Sequence, residues 1–165
     1  MSTPLIGGLF YGYGGLDMAV QQVIGGTLAW YSEIDSGACR IASHHHPGIP
    51  NLGDITQIDW QAAPRVDVLT GGFPCQDVST AGARAGLRDG TRTGLWAHML
   101  QAIDTIRPRL VVAENVRGLL SAEADSDVES CPWCVGDNPD SHMRALGAVL
   151  ADLDTIGYDA QWGSV

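Results

Sequence analysis

The sequence contains no lysine: all nine of its basic residues are arginine, set against 19 acidic residues for a formal net charge of −10. A polyanion is gripped by neutralising its phosphates, so a chain of this balance has little with which to hold nucleic acid by bulk charge. No apolar run reaches the roughly 20 residues that a membrane-spanning helix needs, and the N-terminus lacks the basic, apolar, small-residue order of a secretory signal. The expectation is a cytoplasmic protein without a membrane partner. The four cysteines, Cys39, Cys75, Cys131 and Cys134, include one close pair and give no disulfide framework, so each thiol is read on its own chemistry. Internal repeats are also absent.

What is present is 165 residues, 45% of them hydrophobic, enough for one domain with a core. Strand-like and helix-like segments alternate from the start, the pattern of an α/β fold with a doubly wound, mostly parallel sheet. Residues 4–10 read as a strand ending in a glycine-rich turn, after which Leu16, Ala19, Val20 and Val23 fall at helical spacing. A strand over 27–34 leads to a helix that Ser36 can cap, running to about His45. Residues 66–70 read as a buried strand broken at once by Gly71, Gly72 and Pro74. A helix over 93–107, a buried strand over 110–113, a helix over 143–156 and a strand over 159–165 follow. Residues 121–142 are acidic and polar and read as a surface insertion within the one domain.

In an open α/β sheet, ligands bind outside the carboxyl ends of the strands, near the reversal of strand order, and the notable residues of this sequence fall at those ends. The turn Phe10-Tyr11-Gly12-Tyr13-Gly14-Gly15 lets backbone approach a ligand closely, and Glu33, about 20 residues on, is placed to accept both hydroxyls of a ribose. Leu16 and Asp17 stand where the third glycine of a dinucleotide fingerprint would fall, which disfavours a pyrophosphate cofactor. Asp54 is either an acceptor for an adenine amino group or a turn residue after Gly53. Cys75, within Gly72-Phe73-Pro74-Cys75-Gln76, is a nucleophile if its pKa is lowered and otherwise a buried loop thiol. Glu114 and Asn115 end an apolar strand, where a carboxyl invites a raised pKa and proton donation; the alternative is a carboxylate capping a nearby helix.

Two further groups suggest metal. Cys131-Pro132-Trp133-Cys134 with His142 has the spacing of a zinc half-site in an interaction module, though only three ligands are in view. As a redox pair it lacks the helix N-terminus that lowers a thiol's pKa. His44-His45-His46 before Pro47 reads as a solvated loop, because three consecutive side chains do not easily converge on one ion.

Together these residues resemble the DNA (cytosine-5) methyltransferases over nearly the whole chain. The resemblance rests on Leu9-Phe10-Tyr11-Gly12-Tyr13-Gly14-Gly15 as the first family motif, Glu33 as the second, Gly53-Asp54-Ile55 as the third and Gly72-Phe73-Pro74-Cys75-Gln76 as the fourth. Gly94-Leu95-Trp96 and Glu114-Asn115-Val116 fit the fifth and sixth. Six motifs in order and spacing are far more specific than the glycine turn alone. Gly8 departs from the pattern, standing where family members often carry an acidic or small polar residue.

The resemblance implies S-adenosylmethionine as cofactor, with Phe10 against the adenine, Gly12, Gly14 and Gly15 beside the methionine part, Glu33 on the ribose and Asp54 on the adenine amino group. Ile34, Ile55, Pro74 and Leu95 complete the implied cofactor site, Pro74 also fixing the turn that carries the thiol. It implies that Cys75 attacks carbon 6 of a cytosine flipped out of double-stranded DNA while Glu114, with Asn115 beside it, protonates ring nitrogen 3, so that carbon 5 can take the methyl group. Residues 79–93 resemble the family's mobile loop over the flipped base, with Gln76 and Ser79 near DNA and Arg84, Arg88 and Arg92 meeting phosphates.

The family's Gln-Arg-Arg-x-Arg motif, its target-recognition region and the segment that completes its sheet do not occur in these 165 residues. One expectation is an enzyme of a bacterial or phage-infected cell, in restriction–modification or a related role. The alternative is an inactive or split-enzyme portion that binds S-adenosylmethionine or a second polypeptide. A nicotinamide-dependent oxidoreductase would share the fold and Glu33 but has no use for Pro-Cys-Gln together with Glu-Asn-Val.

Overall fold

The computed structural model describes residues 3–74, 94–115 and 145–164. Four strands, β1 (Leu5–Leu9), β2 (Thr27–Ser32), β3 (Val68–Gly72) and β4 (Leu110–Glu114), form a sheet of order β2-β1-β3-β4 in which every pair is parallel. Helices α1 (Gly15–Ile24) and α2 (Ser36–His45) follow β1 and β2, α3 (Leu95–Ile106) precedes β4, and α4 (Ala145–Thr155) comes last. The chain lays β2 on one side of β1 and returns to lay β3 on the other. That reversal makes the sheet doubly wound and opens a crevice at the carboxyl ends of β1 and β3.

The described residues divide into two compact units, Met1–Phe73 with Gln101–Glu114, and Pro74–Leu100 with Asn115–Val165. In the first, β1 and β3 are buried as the inner strands of a parallel sheet should be, with Ile6, Leu69 and Thr70 fully enclosed. Gly7 is required by packing: a Cβ there would lie 2.5 Å from the Trp30 ring, which is itself fully buried across the strand. In the second unit, Trp96 Nε1 donates to Asp152 Oδ2 at 2.9 Å, and Ala148 and Val149 are buried. Helix α4 ends in a Schellman motif, with Tyr158 N–H on the Leu153 carbonyl, Gly157 N–H on Asp154, and Gly157 left-handed at φ 81.

Several expectations shift in detail. The buried positions of α1 are Asp17 and Val20, while Ala19 and Val23 face solvent, so the apolar stripe read from the sequence is rotated toward Asp17. A buried polar anchor, described below, accounts for the rotation. The cap of α2 is Asp35 rather than Ser36, its Oδ1 accepting from Ala38 N–H at 2.8 Å. Strand β3 continues through Gly71 and Gly72, which pair with Ala113 and Glu114 instead of breaking the ladder. Strand β4 is half-exposed rather than buried, since among the described residues only β3 pairs with it. Residues 159–164 are exposed and form no strand, having no ladder partner among the described residues. No helix among the described residues is long and apolar enough to cross a membrane.

Candidate active site

The turn after β1 is built from left-handed backbone. Phe10, Gly12 and Gly14 have φ of 51, 55 and 77, and Gly14 N–H closes the turn on the Tyr11 carbonyl at 2.8 Å. Glycine takes this region freely; Phe10 does so at a cost, and such non-glycine strain gathers at ligand sites. Phe10 is half-buried, and Gly15 opens on space, with no atom within 4 Å of where its Cβ would stand.

Glu33, just past the end of β2, ties this turn to the next. Its Oε2 accepts from Gly12 N–H at 2.7 Å, and its Oε1 accepts from the N–H groups of Ile34 and Asp35, each at 2.8 Å. A carboxylate has about four acceptor positions, so three backbone donors leave it close to filled. The Ile34 side chain is 71% exposed, and it is the Ile34 backbone that the carboxylate holds.

Asn51, a residue the sequence reading passed over, supports the second turn. Its Oδ1 accepts from Glu33 N–H at 3.1 Å and Gly53 N–H at 3.0 Å, and its Nδ2 donates to the Glu33 carbonyl at 3.0 Å. An asparagine bonding backbone on either side of a turn is ordinary turn chemistry, and only the parallel bridge between Tyr31 and Asn51 singles it out. Asp54 is exposed and caps the single 3-10 turn Ile55–Gln57, its Oδ1 accepting from Thr56 N–H and Thr56 Oγ1, both at 2.9 Å. Of the two readings of Asp54, the hydrogen bonds describe the turn role. Ile55 is buried in the core, and Gly53 faces open space.

Beneath the glycine turn lies a polar cluster that the sequence reading also missed. Asp17, on the first turn of α1, is 3% exposed, and Thr70 of β3 donates from Oγ1 to its Oδ1 at 2.6 Å. Burial pushes the Asp17 carboxyl up to about 6 despite that hydrogen bond. Gly8 makes room for it, because a Cβ there would stand 2.6 Å from Asp17 Oδ1 and 2.7 Å from the Tyr11 ring. The Tyr11 hydroxyl is buried with no hydrogen-bond partner among the described residues, and burial together with the Asp17 charge pushes it up to about 12. The signal in the sequence was an acid within the apolar spacing of α1, opposite a strand that carries a threonine.

At the other pair of strand ends, Glu114 closes β4 and pairs in register with Gly72 of β3, where a Cβ would stand 3.1 Å from Glu114 Oε2. Glu114 is exposed. Pro74 is exposed, and Leu95 and Asn115 are half-buried; all three belong to the second unit. Cys75, Gln76, Ser79, Arg84, Arg88, Arg92, Cys131, Cys134 and His142 lie outside the described residues.

An order reversal in a parallel sheet, a left-handed glycine turn after its first strand and an acid after the second define a doubly wound α/β fold of the Rossmann-like class, to which the S-adenosylmethionine-dependent methyltransferase type belongs. Two solved structures share it: a Spodoptera frugiperda DNMT2 variant (TM-score 0.56, 24% identity, 73% of this chain and 38% of that one) and the S. pombe Dnmt2 methyltransferase (TM-score 0.51, 20% identity, 72% and 38%). The family model for C-5 cytosine-specific DNA methylases matches residues 6–163, and the chain belongs to that family. It is 39% identical over 131 residues to the type II methyltransferase M.Eco47II of Escherichia coli, covering 78% of this chain and 31% of that protein. It is 35% identical over 162 residues to the type II methyltransferase M.NgoFVII of Neisseria gonorrhoeae, covering 97% and 38%. The chain thus spans about a third of the length of these relatives.

Proposed function

We propose that this chain is the cofactor-binding and nucleophile-bearing portion of a DNA (cytosine-5) methyltransferase. The observation that carries the cofactor part is the joining of the glycine turn to the Glu33 carboxylate by the 2.7 Å bond from Gly12, beside open space at Gly15 and Gly53. A small nucleoside-bearing ligand fits that cradle: strained Phe10 for its base, the remaining acceptor position of Glu33 for a hydroxyl, the Asp54 carboxylate for an amino donor, and side-chain-free backbone for the rest. Ile34, Ile55, Pro74 and Leu95 complete the proposed cofactor set. S-adenosylmethionine bound there supplies a methyl group made electrophilic by its sulfonium.

Cytosine does not attack such a methyl group unaided, because its ring carbon 5 is a poor nucleophile. In the proposed reaction the Cys75 thiolate bonds to carbon 6 of a flipped-out cytosine while Glu114 gives a proton to nitrogen 3. The ring electrons then reach carbon 5, which takes the methyl group; a base removes the carbon-5 proton, carbon 6 expels Cys75, and nitrogen 3 returns its proton. Asn115 sits beside the acid, and Gln76, Ser79, Arg84, Arg88 and Arg92 face the DNA. The exposure of Glu114 suits a group that must meet a base brought from outside.

The charge of −10 favours a second element in the same reading. Grip and target recognition come from residues other than these 165, on a further segment or a second polypeptide.

A covalent trap tests the assignment. Incubated with S-adenosylmethionine and duplex DNA bearing 5-fluorocytosine, whose fluorine cannot leave as a proton does, the chain is expected to form a stable adduct that Cys75→Ser abolishes. An adduct that survives Cys75→Ser overturns the nucleophile. Cofactor binding without any adduct assigns the chain to the alternative, a portion that holds the cofactor and needs its partner to act.

A further inference from the structure

The reversal point of the sheet, between β1 and β3, is where a ligand on an open α/β fold is centred, and it is here that Asp17 is buried. Its one side-chain partner is a neutral hydroxyl, that of Thr70, and among the described residues no cation pairs with it. Burying a carboxylate without a counter-charge is costly, and proteins ordinarily supply an arginine or lysine for it. Directly above stands the left-handed turn at Gly14. There the Tyr11 hydroxyl, 5% exposed, is also unpartnered among the described residues, and a Cβ on Gly14 would lie 2.5 Å from it. The space is kept by glycine on two sides, Gly8 below and Gly14 above. A buried anion offset by a backbone N–H at the start of α1 but by no counter-charge among the described residues, together with an unsatisfied hydroxyl under a ligand turn, describes a polar floor prepared for a cation.

We propose that Asp17 is a positioning residue whose charge, acting from beneath the glycine turn, selects a cationic methyl donor over the uncharged thioether left after transfer. The proposal rests on the cofactor reading above and adds to it what sets the preference between donor and product. S-adenosylmethionine differs from S-adenosylhomocysteine by one methyl group and one positive charge, so the glycine turn, Phe10 and Glu33 treat the two nearly alike. A buried anion does not: it attracts the sulfonium and has no such hold on the thioether. By linkage, the cation holds Asp17 ionised, so donor affinity falls on acidification through the range in which Asp17 gains its proton, while product affinity changes little. Asp17 titrates about 6 in the free chain. The groups packed around it are Thr70 and Gly8 from the strands and Tyr11 from the turn; Tyr31 of β2 and His46 after α2 stand behind Tyr11, at ring separations of 4.7 and 6.0 Å. Of these, His46 carries the imidazole closest to Tyr11, and its substitution separates its contribution from that of Asp17.

The test is the ratio of dissociation constants, product over donor, measured calorimetrically on the full chain at about pH 7.5 and about pH 5. The expected ratio falls about fivefold on acidification in the parent chain, the effect at about pH 5 of a one-unit displacement of the Asp17 titration by the bound cation. Asp17→Asn is expected to give the low ratio at both pH values, and His46→Gln to behave as the parent. The parent ratio alone decides the matter should Asp17→Asn fail to fold, because changes common to both ligands cancel. A ratio that does not move with pH, or one whose movement is lost in His46→Gln, overturns the proposal while leaving the cofactor reading intact. Failure of either ligand to bind overturns the cofactor reading and the proposal with it.

Discussion

The carboxyl ends of β1 and β2 and those of β3 and β4 lie along one edge of the same sheet, yet they are built differently. At the first pair, Glu33 receives three backbone N–H groups, Asn51 bonds backbone on either side of its turn, Asp54 caps the turn that follows, and Asp17 and Thr70 bond beneath. Each of these polar groups is fixed by another. At the second pair, Glu114 is exposed, and no side-chain hydrogen bond fixes it among the described residues. On the proposed reading, the difference separates two tasks. A cofactor site gains from being held in its bound geometry in advance, since ordering it on binding would subtract from affinity. An acid that must find the edge of an extruded base gains nothing from being fixed before the base arrives.

The sharpest way to break the comparison is to put the same methyl group into both corners. Gly14→Ala sets a Cβ 2.5 Å from the Tyr11 hydroxyl at a φ of 77, combining overpacking with left-handed strain, and is expected to cost about 3 kcal/mol. Gly72→Ala meets only the far end of the Glu114 side chain at 3.1 Å, which can swing aside, and is expected to cost less than about 1 kcal/mol. Chemical denaturation of both variants checks the pair; equal losses would show that the two corners are equally rigid.

Asp17 offers the next largest effect, one visible without ligand. Its folded carboxyl is pushed up to about 6 from an ordinary 3.8, so the native state holds a proton that the unfolded chain releases. The stabilisation is complete below about pH 4 and is lost as pH rises through about 6. Relative to Asp17→Asn, the parent chain is therefore expected to lose about 2 to 3 kcal/mol of stability across that window, at about 1.4 kcal/mol per unit. Parallel stability curves for parent and variant would refute the buried, uncompensated anion.

These features bear unequally on what the sequence made legible. The alternation of elements, the glycine turn and the acid after β2 were all readable, because each follows from local chemistry: hydrophobic period, backbone freedom and distance along the chain. The strand limits were off by two residues at β3, since whether Gly71 and Gly72 remain in a ladder depends on finding Ala113 and Glu114 opposite them. The face of α1 was misplaced for a related reason. A count of apolar residues cannot foresee that Asp17 turns inward to a hydroxyl 53 positions away on β3. The expected burial of the strand over 110–113 failed likewise, because an apolar strand reads the same in the middle of a sheet as at a side with one neighbour among the described residues. Properties held by partners distant in sequence were the ones that escaped.

The smallest effect separates the two acids themselves. Glu33→Gln keeps the shape but removes the charge to which three N–H groups donate, and its amide nitrogen turns a donor toward at least one of them. The expected cost is about 1 to 2 kcal/mol of stability, with a clear loss of S-adenosylmethionine affinity, because the glycine turn is no longer tied to the end of β2. Glu114→Gln removes an exposed charge and is expected to leave stability within about 0.5 kcal/mol and cofactor affinity unchanged, while the fluorocytosine adduct is lost. Calorimetry and the trap, run on both variants, read three quantities that the two acids should divide between them. Were Glu114→Gln to weaken cofactor binding as much as Glu33→Gln, the corners would be one coupled site, and the assignment of holding to one and proton transfer to the other would fail.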